Sequence, residues 1–569
     1  MSLPTTTNRI FLPPNLEVKT WEDVAPFYKE LLERKIQSTI ELEKWMLDHH
    51  ELEAVMSENY GWRYIKMSCD TNSEEYLNDH EYFINEIEPK IAPIENQLNQ
   101  KFVQSPFLPE LDSKKYFTHL REVNTSIDLF RKENIPLNSQ LTSKVQKYAS
   151  ISGQETIHYN SKEYTIPQSS VFLKNTDRNI RKEIYHLIQK RKDQDENTLN
   201  ALFEELFQLR SKIATNAGFA NYRDYKFKEL GRFDYTPNDC LNFHSSIEKH
   251  FKPLRKKLDL NRQQKLQYEK YYPWDTEVDT NASPPLSPFK NAEEMIEKSI
   301  LCFQRIDPFF GDCLQKMKDL NHLDLASRKG KAPGGFNYPL HECGIPFIFM
   351  NSVGLQKDLV TIMHEGGHAV HAFLTKDYKI NTFKNVPSEA AELASMSMEL
   401  ISMSNWDIFY NNADLRRAKR EQLEKIIQTL CWIANVDAFQ HKIYTNPIAT
   451  PEQRYKDWTE VHSRFETGLI DYTGFENIKK RIWHAQLHIF EVPFYYIEYG
   501  FAQLGAVAVW RNYLNNAGKA LQDYKNALSL GYTKPIPDIY EAANIKFDFS
   551  EDYVASLAEF LSQQLESLS

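Results

Sequence analysis

The sequence lacks the long apolar segments that place a protein in or across a membrane. None of its apolar runs reaches the roughly 18 residues that a membrane-spanning helix requires. Its first residues also lack a basic segment followed by an apolar one, which a secretory signal would show. We therefore expect a cytoplasmic protein that does not enter a membrane.

Cysteine is also scarce, since the 569 residues contain six cysteines and no Cys-x-x-Cys pair. This density is far below that of a disulfide-stabilised scaffold, and scattered cysteines are typical of reduced thiols in a cytosolic protein. An excess of positive charge is missing too, because 68 basic residues face 78 acidic ones and the net charge is −10. General affinity for phosphate is thereby disfavoured, and we expect no nucleic-acid partner.

Helical periodicity of apolar residues dominates the chain. A chain of this length exceeds what one core normally supports, so we expect at least two lobes. Residues 1–150 are predicted to form an N-terminal helical lobe, and residues 151–569 a catalytic region. Two short β-type runs within residues 156–167 predict a hairpin, and residues 345–350 predict a small β-ribbon near the metal site described next. The predicted fold class is mainly α.

The most informative motif contains His364 and His368, four positions apart, with Glu365 between them. On a helix this spacing puts both imidazoles on one face, close enough to bind a single tetrahedral zinc ion. Glu365 would lie beside a zinc-bound water and could accept its proton during attack on a carbonyl. The alternative is a pair of core histidines bonded to the backbone.

Two glycines, Gly366 and Gly367, lie inside this motif. In a helix interior each costs about 1 kcal/mol relative to alanine. Either close packing against another helix or space for a bound substrate would compensate for that cost.

A second predicted helix begins near Ser388 and carries Glu392 and Glu399, seven positions apart and hence on one face. Glu392 lies between apolar residues in a segment with little other charge. A carboxylate in such surroundings needs a partner, and zinc would supply one, which makes Glu392 the candidate third ligand. Glu399 could orient a ligand histidine through a hydrogen bond, or it could form an ordinary salt bridge.

A third segment carries His488 followed by Tyr495, Tyr496 and Tyr499, with Pro493 interrupting the helical pattern between them. A break of this kind exposes side chains. A histidine and neutral phenols are suitable hydrogen-bond donors to the oxyanion that forms when water attacks a peptide carbonyl. The alternative is an aromatic helix packed in a core.

Several motifs together carry a family resemblance. They lie at residues 332–335, 346–349, 364–368, 392–399 and 488–499. In this order they resemble the thimet oligopeptidase and oligoendopeptidase F family of zinc metallopeptidases, and most closely its Pz-peptidase-like branch. The resemblance extends from about residue 156 to the C-terminus, whereas the first 110 or so residues match only in being helical.

The resemblance implies a role for each candidate residue. One zinc ion per chain would be held by His364, His368 and Glu392, with Glu365 as the general base. His488 and Tyr496, with Tyr499 close behind, would bind the substrate carbonyl and the oxyanion. The spacing from the histidine to the tyrosines differs from that of the thimet branch, so the choice among Tyr495, Tyr496 and Tyr499 stays open. The family fold implies two helical lobes flanking a deep substrate channel with zinc at its floor.

The same resemblance implies a short unstructured peptide as substrate, because folded chains cannot enter such a channel. The peptide would lie along the ribbon near Phe347 as an added strand, and Gly334 and Gly335 would allow it to approach closely. The predicted function is therefore that of a zinc-dependent endopeptidase. Two alternatives stay open: a zinc carboxypeptidase of similar fold, and a non-catalytic peptide-binding protein with a structural zinc ion.

Overall fold

The computed structural model describes residues 9–281, 283–328, 330–332, 334–446 and 450–568. Residue 333 of the motif at 332–335, and the first eight residues, lie outside this range. Across the described residues helices predominate, and β-structure is confined to one hairpin and one three-stranded sheet. The prediction of a mainly α fold is confirmed. None of the described helices is long and apolar enough to cross a membrane.

The N-terminal lobe is built from six helices. They are α1 (Ala25–Glu33), α2 (Thr39–Cys69), α3 (Glu74–Tyr82), α4 (Glu88–Val103), α5 (Phe117–Leu129) and α6 (Ile135–Gly153). Apolar side chains between Leu12 and Val123 form its core, which Ile380 and Phe383 of the other lobe complete. Tyr148 of α6 packs instead into the core of the second lobe. The division at residue 150 stays a prediction.

A β-hairpin follows α6, as the sequence predicts. Strands β1 (Thr156–Tyr159) and β2 (Lys162–Thr165) pair antiparallel. Asn160 and Ser161 form the two-residue turn with φ angles of 48° and 61°. Positive φ at both positions matches the twist of the flanking strands, which is why such short hairpin turns adopt it.

The middle of the chain contains six further helices and a three-stranded sheet. The helices are α7 (Ile166–Ser169), α8 (Arg178–Asn216), α9 (Tyr222–Glu229), α10 (Pro237–Leu266), α11 (Ala292–Ile306) and α12 (Pro308–Asp319). The strands are β3 (Leu323–Ala326), β4 (Phe336–Tyr338) and β5 (Phe347–Ser352). In the sheet, β5 lies between β3, to which it is parallel, and β4, to which it is antiparallel.

This strand order corrects the prediction that a peptide pairs with the ribbon near Phe347. At Ile348 and Phe349, β5 is paired with a strand on each side, so it has no free edge to offer. The Phe347 side chain is also fully buried, where it packs against Trp62 and His322. The strand with an unpaired edge beside the predicted metal site is β4.

The rest of the chain is helical. Its helices are α13 (Gln356–Thr375), α14 (Asn381–Lys384), α15 (Ser388–Ser402), α16 (Asn412–Tyr444), α17 (Pro451–Phe465), α18 (Glu476–Lys480), α19 (Leu487–Glu491), α20 (Tyr496–Asn515), α21 (Ala517–Ser529), α22 (Ile536–Ala542) and α23 (Glu551–Ser567). Together with α8–α12 they enclose one large core. Helix α15 packs against both α13 and α20.

The two lobes meet at the sheet. Trp62 and Ile65 of α2 share a small apolar cluster with Leu340 and the two phenylalanines of β5. The prediction of two helical lobes is confirmed, and the metal motif lies on the side of the second lobe.

The packing of α13 against its neighbours explains the two glycines in its interior. A methyl group on Gly367 would lie 2.6 Å from Ser395 Cα and 2.8 Å from Ala394 O, both on the backbone of α15. A methyl group on Gly366 would overlap the buried ring of Phe303 in α11. Close helix packing, and not space for a substrate, therefore accounts for these glycines.

Candidate metal centre and active site

The three residues predicted as zinc ligands converge where α13 crosses α15. Nε2 of His364 lies 3.2 Å from Oε2 of Glu392, and Nε2 of His368 lies 3.4 Å from the same oxygen. The two imidazole rings are 4.9 Å apart and nearly perpendicular. Helical spacing aligns the histidines, and the glycine contact brings α15 close enough for Glu392 to reach them.

This geometry is compatible with zinc. Two ligand atoms bound to one tetrahedral zinc ion at about 2.0–2.1 Å are about 3.3 Å apart, close to both of the observed distances. Imidazole nitrogen and carboxylate oxygen are the donors that catalytic zinc sites use. Glu392 is only 3% exposed, so its carboxylate requires a positively charged partner.

Neighbouring side chains fix the orientation of these candidate ligands. Nδ1 of His364 lies 2.7 Å from Oε1 of Glu399, whose second oxygen accepts a hydrogen bond of 2.8 Å from Gln422. Glu399 is an acceptor only, so Nδ1 of His364 carries the proton and Nε2 is left with a lone pair for a metal. Of the two roles that the sequence left open for Glu399, this geometry favours orientation of His364.

Tyr495 also contacts a candidate ligand. Its hydroxyl donates a hydrogen bond of 2.9 Å to Oε1 of Glu392. The hydroxyl of Ser395 donates to the other oxygen of Glu392, also at 2.9 Å. The Tyr495 hydroxyl is therefore engaged with Glu392, which leaves Tyr496 and Tyr499 as the candidates for an oxyanion donor.

A pocket of about 410 Å³ opens beside the three candidate ligands. It is lined by Gly335, Phe336, Asn337, Pro339, His364, Glu365, His368, His371, Ala372, Thr375, Lys384, Asn385, Val386, Ala391, Glu392, Tyr495 and Tyr499. One wall is thus β4 and the residues beside it, and the others come from α13, from the end of α14 and the residues after it, from α15 and from the start of α20. Asn337 connects β4 with α13, since its side-chain amide donates a hydrogen bond of 3.2 Å to the backbone oxygen of Glu365.

Glu365 lines this pocket with a side chain that is almost completely buried. Burial raises the pKa of its carboxyl, and the neighbouring His364 and His368 oppose that rise. A carboxylate with a raised pKa is a better proton acceptor, which is the property a general base requires.

His488 lies in a cluster of aromatic rings. Its ring centre is 4.7 Å from that of Tyr496, 5.7 Å from that of Tyr499 and 6.0 Å from that of Tyr495. Burial lowers the pKa of His488 to about 4 and raises the pKa of Tyr496 to about 12. Both side chains are therefore neutral hydrogen-bond donors near pH 7. Tyr499 lines the pocket itself, and His488 and Tyr496 lie beside it.

A chain of hydrogen bonds sets the tautomer of His488. Trp432 Nε1 donates to Oε1 of Gln486 at 2.7 Å, which orients the amide, and Nε2 of Gln486 then donates to Nδ1 of His488 at 2.8 Å. Nδ1 is consequently the acceptor and Nε2 carries the proton. Gln486 and Trp432 were missed by the sequence analysis, because no spacing connects them with the motif.

Side chains of Gln440 and Arg232 stabilise the break between His488 and the tyrosines. Phe494 has a φ angle of 67°, and its backbone N–H donates to Oε1 of Gln440 at 3.0 Å. Arg232 donates to the backbone oxygen of Phe494 and forms an ion pair of 2.8 Å with Glu498. The predicted break is present, and these contacts impose a backbone conformation that is uncommon for phenylalanine.

The other predicted substrate-binding residues differ in position. Gly335 lines the pocket, and a methyl group there would lie 3.3 Å from Phe349 O. Gly334, with a φ angle of 94°, forms the turn before β4. Phe347 is fully buried and does not line the pocket, so the prediction that it binds substrate is not supported.

Comparisons with known proteins identify relatives of this chain. Residues 171–559 match the family model described as peptidase family M3, and residues 11–130 match its N-terminal domain. An oligoendopeptidase F homolog of Borreliella burgdorferi is 24% identical over 495 residues, which cover 82% of this chain and 78% of that protein. The oligopeptidase PepF of Bacillus subtilis is 22% identical over 70% of this chain and 59% of its own length.

Two solved structures have the same overall fold. One, a protein assigned as an oligoendopeptidase F, is 26% identical with a TM-score of 0.92, covering 97% of this chain and 98% of that one. The other is Pz peptidase A with an inhibitor, which is 26% identical with a TM-score of 0.91 and covers 96% and 97% of the two chains.

Proposed function

The chain belongs to peptidase family M3, and we propose that it is a zinc-dependent endopeptidase that hydrolyses short unstructured peptides. The observation that carries the proposal is the convergence of His364, His368 and Glu392 beside the buried carboxylate of Glu365, at one pocket. A structural metal site needs no such base. The six cysteines are all unpaired, which supports a location in the reducing cytoplasm.

His364, His368 and Glu392 would hold the zinc ion. Zinc bound there would polarise the scissile carbonyl and make water acidic enough to lose a proton near neutral pH. Glu365 takes that proton as the water attacks, and then delivers it to the leaving amine. The hydroxyl of Tyr499 and the Nε2–H of His488 stabilise the growing negative charge on the carbonyl oxygen.

The peptide would pair with the unpaired edge of β4. This edge borders the pocket through Phe336 and Asn337, and its backbone groups can extend the sheet by one strand. Such pairing requires an extended chain, and a short unstructured peptide meets this condition without having to unfold.

One observation keeps the carboxypeptidase alternative open. Lys384 lines the pocket, and burial lowers the pKa of its amine to about 8, so the side chain is mostly charged at pH 7. A cation at that place could bind the terminal carboxylate of a peptide. Peptides blocked at both ends separate the two activities, because an endopeptidase cleaves them and a carboxypeptidase does not.

The variant Glu365→Gln tests the mechanism. It keeps the size of the side chain and removes the base, so we expect the bound metal and the melting temperature to be unchanged and the turnover of a blocked peptide to fall at least about 10³-fold. Glu452→Gln, at an exposed position of α17, serves as the matched control with full activity. Full turnover by Glu365→Gln would contradict the proposed mechanism.

A further inference from the structure

A second group of metal-binding side chains lies between α10 and α16, outside the pocket. Cys240 and His244 are four positions apart on α10, and Asp437 and His441 are four positions apart on α16. Each helix therefore presents two potential ligands on one face. The two helices pack against each other, which brings Cys240, Asp437 and His441 close together and places His244 in contact with Asp437.

The distances are those of a collapsed metal site. Nε2 of His244 lies 2.8 Å from Oδ2 of Asp437, and Nε2 of His441 lies 3.2 Å from the same oxygen. The ligand atoms of Cys240, Asp437 and His441 are all within 4.8 Å of one another. A single carboxylate oxygen thus faces two imidazole nitrogens, as Glu392 Oε2 does at the proposed catalytic centre.

The protein leaves this cluster incompletely satisfied. All four side chains are at least 95% buried. Among the described residues, Nδ1 of His441, Nδ1 of His244 and Oδ1 of Asp437 have no hydrogen-bond partner, and the only polar contact of His441 Nε2 is the one with Asp437 Oδ2. Two imidazole nitrogens that face one buried carboxylate oxygen beside a thiol are the arrangement that a bound metal ion would complete.

We propose that Cys240, His244, Asp437 and His441 bind a second, structural zinc ion. Thiolate, imidazole and carboxylate are all zinc donors, and four protein ligands complete a tetrahedron with no position left for water. The charges also balance, because a thiolate and a carboxylate together neutralise Zn²⁺ in the buried site. Binding requires the Cys240 thiol to lose its proton to solvent when the ion enters.

Such an ion would stabilise the wall that carries the proposed oxyanion donors. The ring of His441 packs edge-on against Phe494 at 5.4 Å, and the preceding residue, Gln440, accepts the hydrogen bond of the Phe494 backbone. Phe494 directly precedes Tyr495 in the strained break described above. Fixing His441 to α10 would therefore restrict the movement of this segment.

Cobalt substitution tests the site in the full-length protein. The proposed catalytic ligands include no sulfur, so a thiolate-to-cobalt charge-transfer band in the near ultraviolet reports on the second site alone. We expect two metal ions per chain and this band in the unmodified protein. His368→Ala should keep the band and lose one ion, which separates the second site from the proposed catalytic one.

The matched pair of cysteine variants completes the test. Cys240→Ala should lose the band and one ion, whereas Cys302→Ala, also fully buried but away from the cluster, should keep both. In the His368→Ala background, a chelator should lower the melting temperature. A folded unmodified protein that binds cobalt without any sulfur band would overturn the proposal, whether or not the variants fold.

Discussion

The contact between Gly367 and α15 makes a quantitative prediction for Gly367→Ala. The added methyl group would lie 2.6 Å from Ser395 Cα, about 1 Å closer than carbon atoms normally approach, and 2.8 Å from Ala394 O. Both of these neighbours are backbone atoms, so no side-chain rotation can relieve the overlap. The two helices must separate, and overpacking of this kind costs about 1–3 kcal/mol of stability.

Separation of α13 from α15 should displace the proposed zinc ligands before it unfolds the protein. Gly367 directly precedes His368, and Ser395 lies one helical turn after Glu392. A zinc site tolerates ligand displacements of only about 0.2 Å, far less than the required shift. We therefore expect Gly367→Ala to weaken zinc binding at least about tenfold, with peptide hydrolysis falling in proportion to the zinc lost.

The assay is a competition titration against a zinc buffer, combined with thermal unfolding. Gly518→Ala is the matched control, since its methyl group would have no neighbour closer than 4.0 Å. Gly366→Ala clashes with a side chain, so the second change Phe303→Leu should restore it, and no side-chain truncation should restore Gly367→Ala. Unchanged zinc affinity and unchanged stability in Gly367→Ala would refute this account of helix packing.

Two further predictions follow from the site and its surroundings. Tyr495→Phe removes the hydrogen bond to Glu392, so metal titration should show zinc binding weakened by about 10–100-fold. Tyr499→Phe should retain zinc, and steady-state kinetics should show kcat lowered by about 10²–10³-fold. Burial raises the pKa of Glu491 to about 7 from an ordinary value of about 4.3, so the folded protein holds this proton more tightly and loses stability as the pH rises between those values. Glu491→Gln should therefore raise the free energy of unfolding by up to about 3 kcal/mol near pH 8 and leave it unchanged near pH 4; an equal effect at both pH values in urea unfolding would contradict the assignment.

Residues that act through local spacing could be predicted from the sequence. His364 and His368 share a helix face because four positions complete about one turn, and Glu392 and Glu399 share one for the same reason. The hairpin at residues 156–167 was likewise predictable, because its turn is two residues long. In each case the chain itself fixes the distance between the groups.

The errors and omissions arose where distant segments meet. The apolar run around Phe347 predicts a strand, but only the pairing of β3 and β4 on either side makes it the central strand and assigns the free edge to β4. The adjacent tyrosines could not be distinguished by spacing, and only the structure shows that the hydroxyl of Tyr495 contacts Glu392. Gln422 and Gln486 could not be identified from the sequence, because the role of an amide side chain depends on its hydrogen-bond partner in the folded structure.

The sequence by itself predicted a helical fold and the candidate metal ligands, because the signals for each are periodic or local, and the resemblance of its motifs to a peptidase family added the activity. The tertiary structure decided how these parts are used. It showed that Gly367 serves the contact of α13 with α15 and Gly366 the contact with Phe303 of α11, and it brought Cys240 and His244 to Asp437 and His441 across nearly two hundred residues of chain. Packing alone sets such distances, since helical periodicity orients a side chain without specifying which helix it faces.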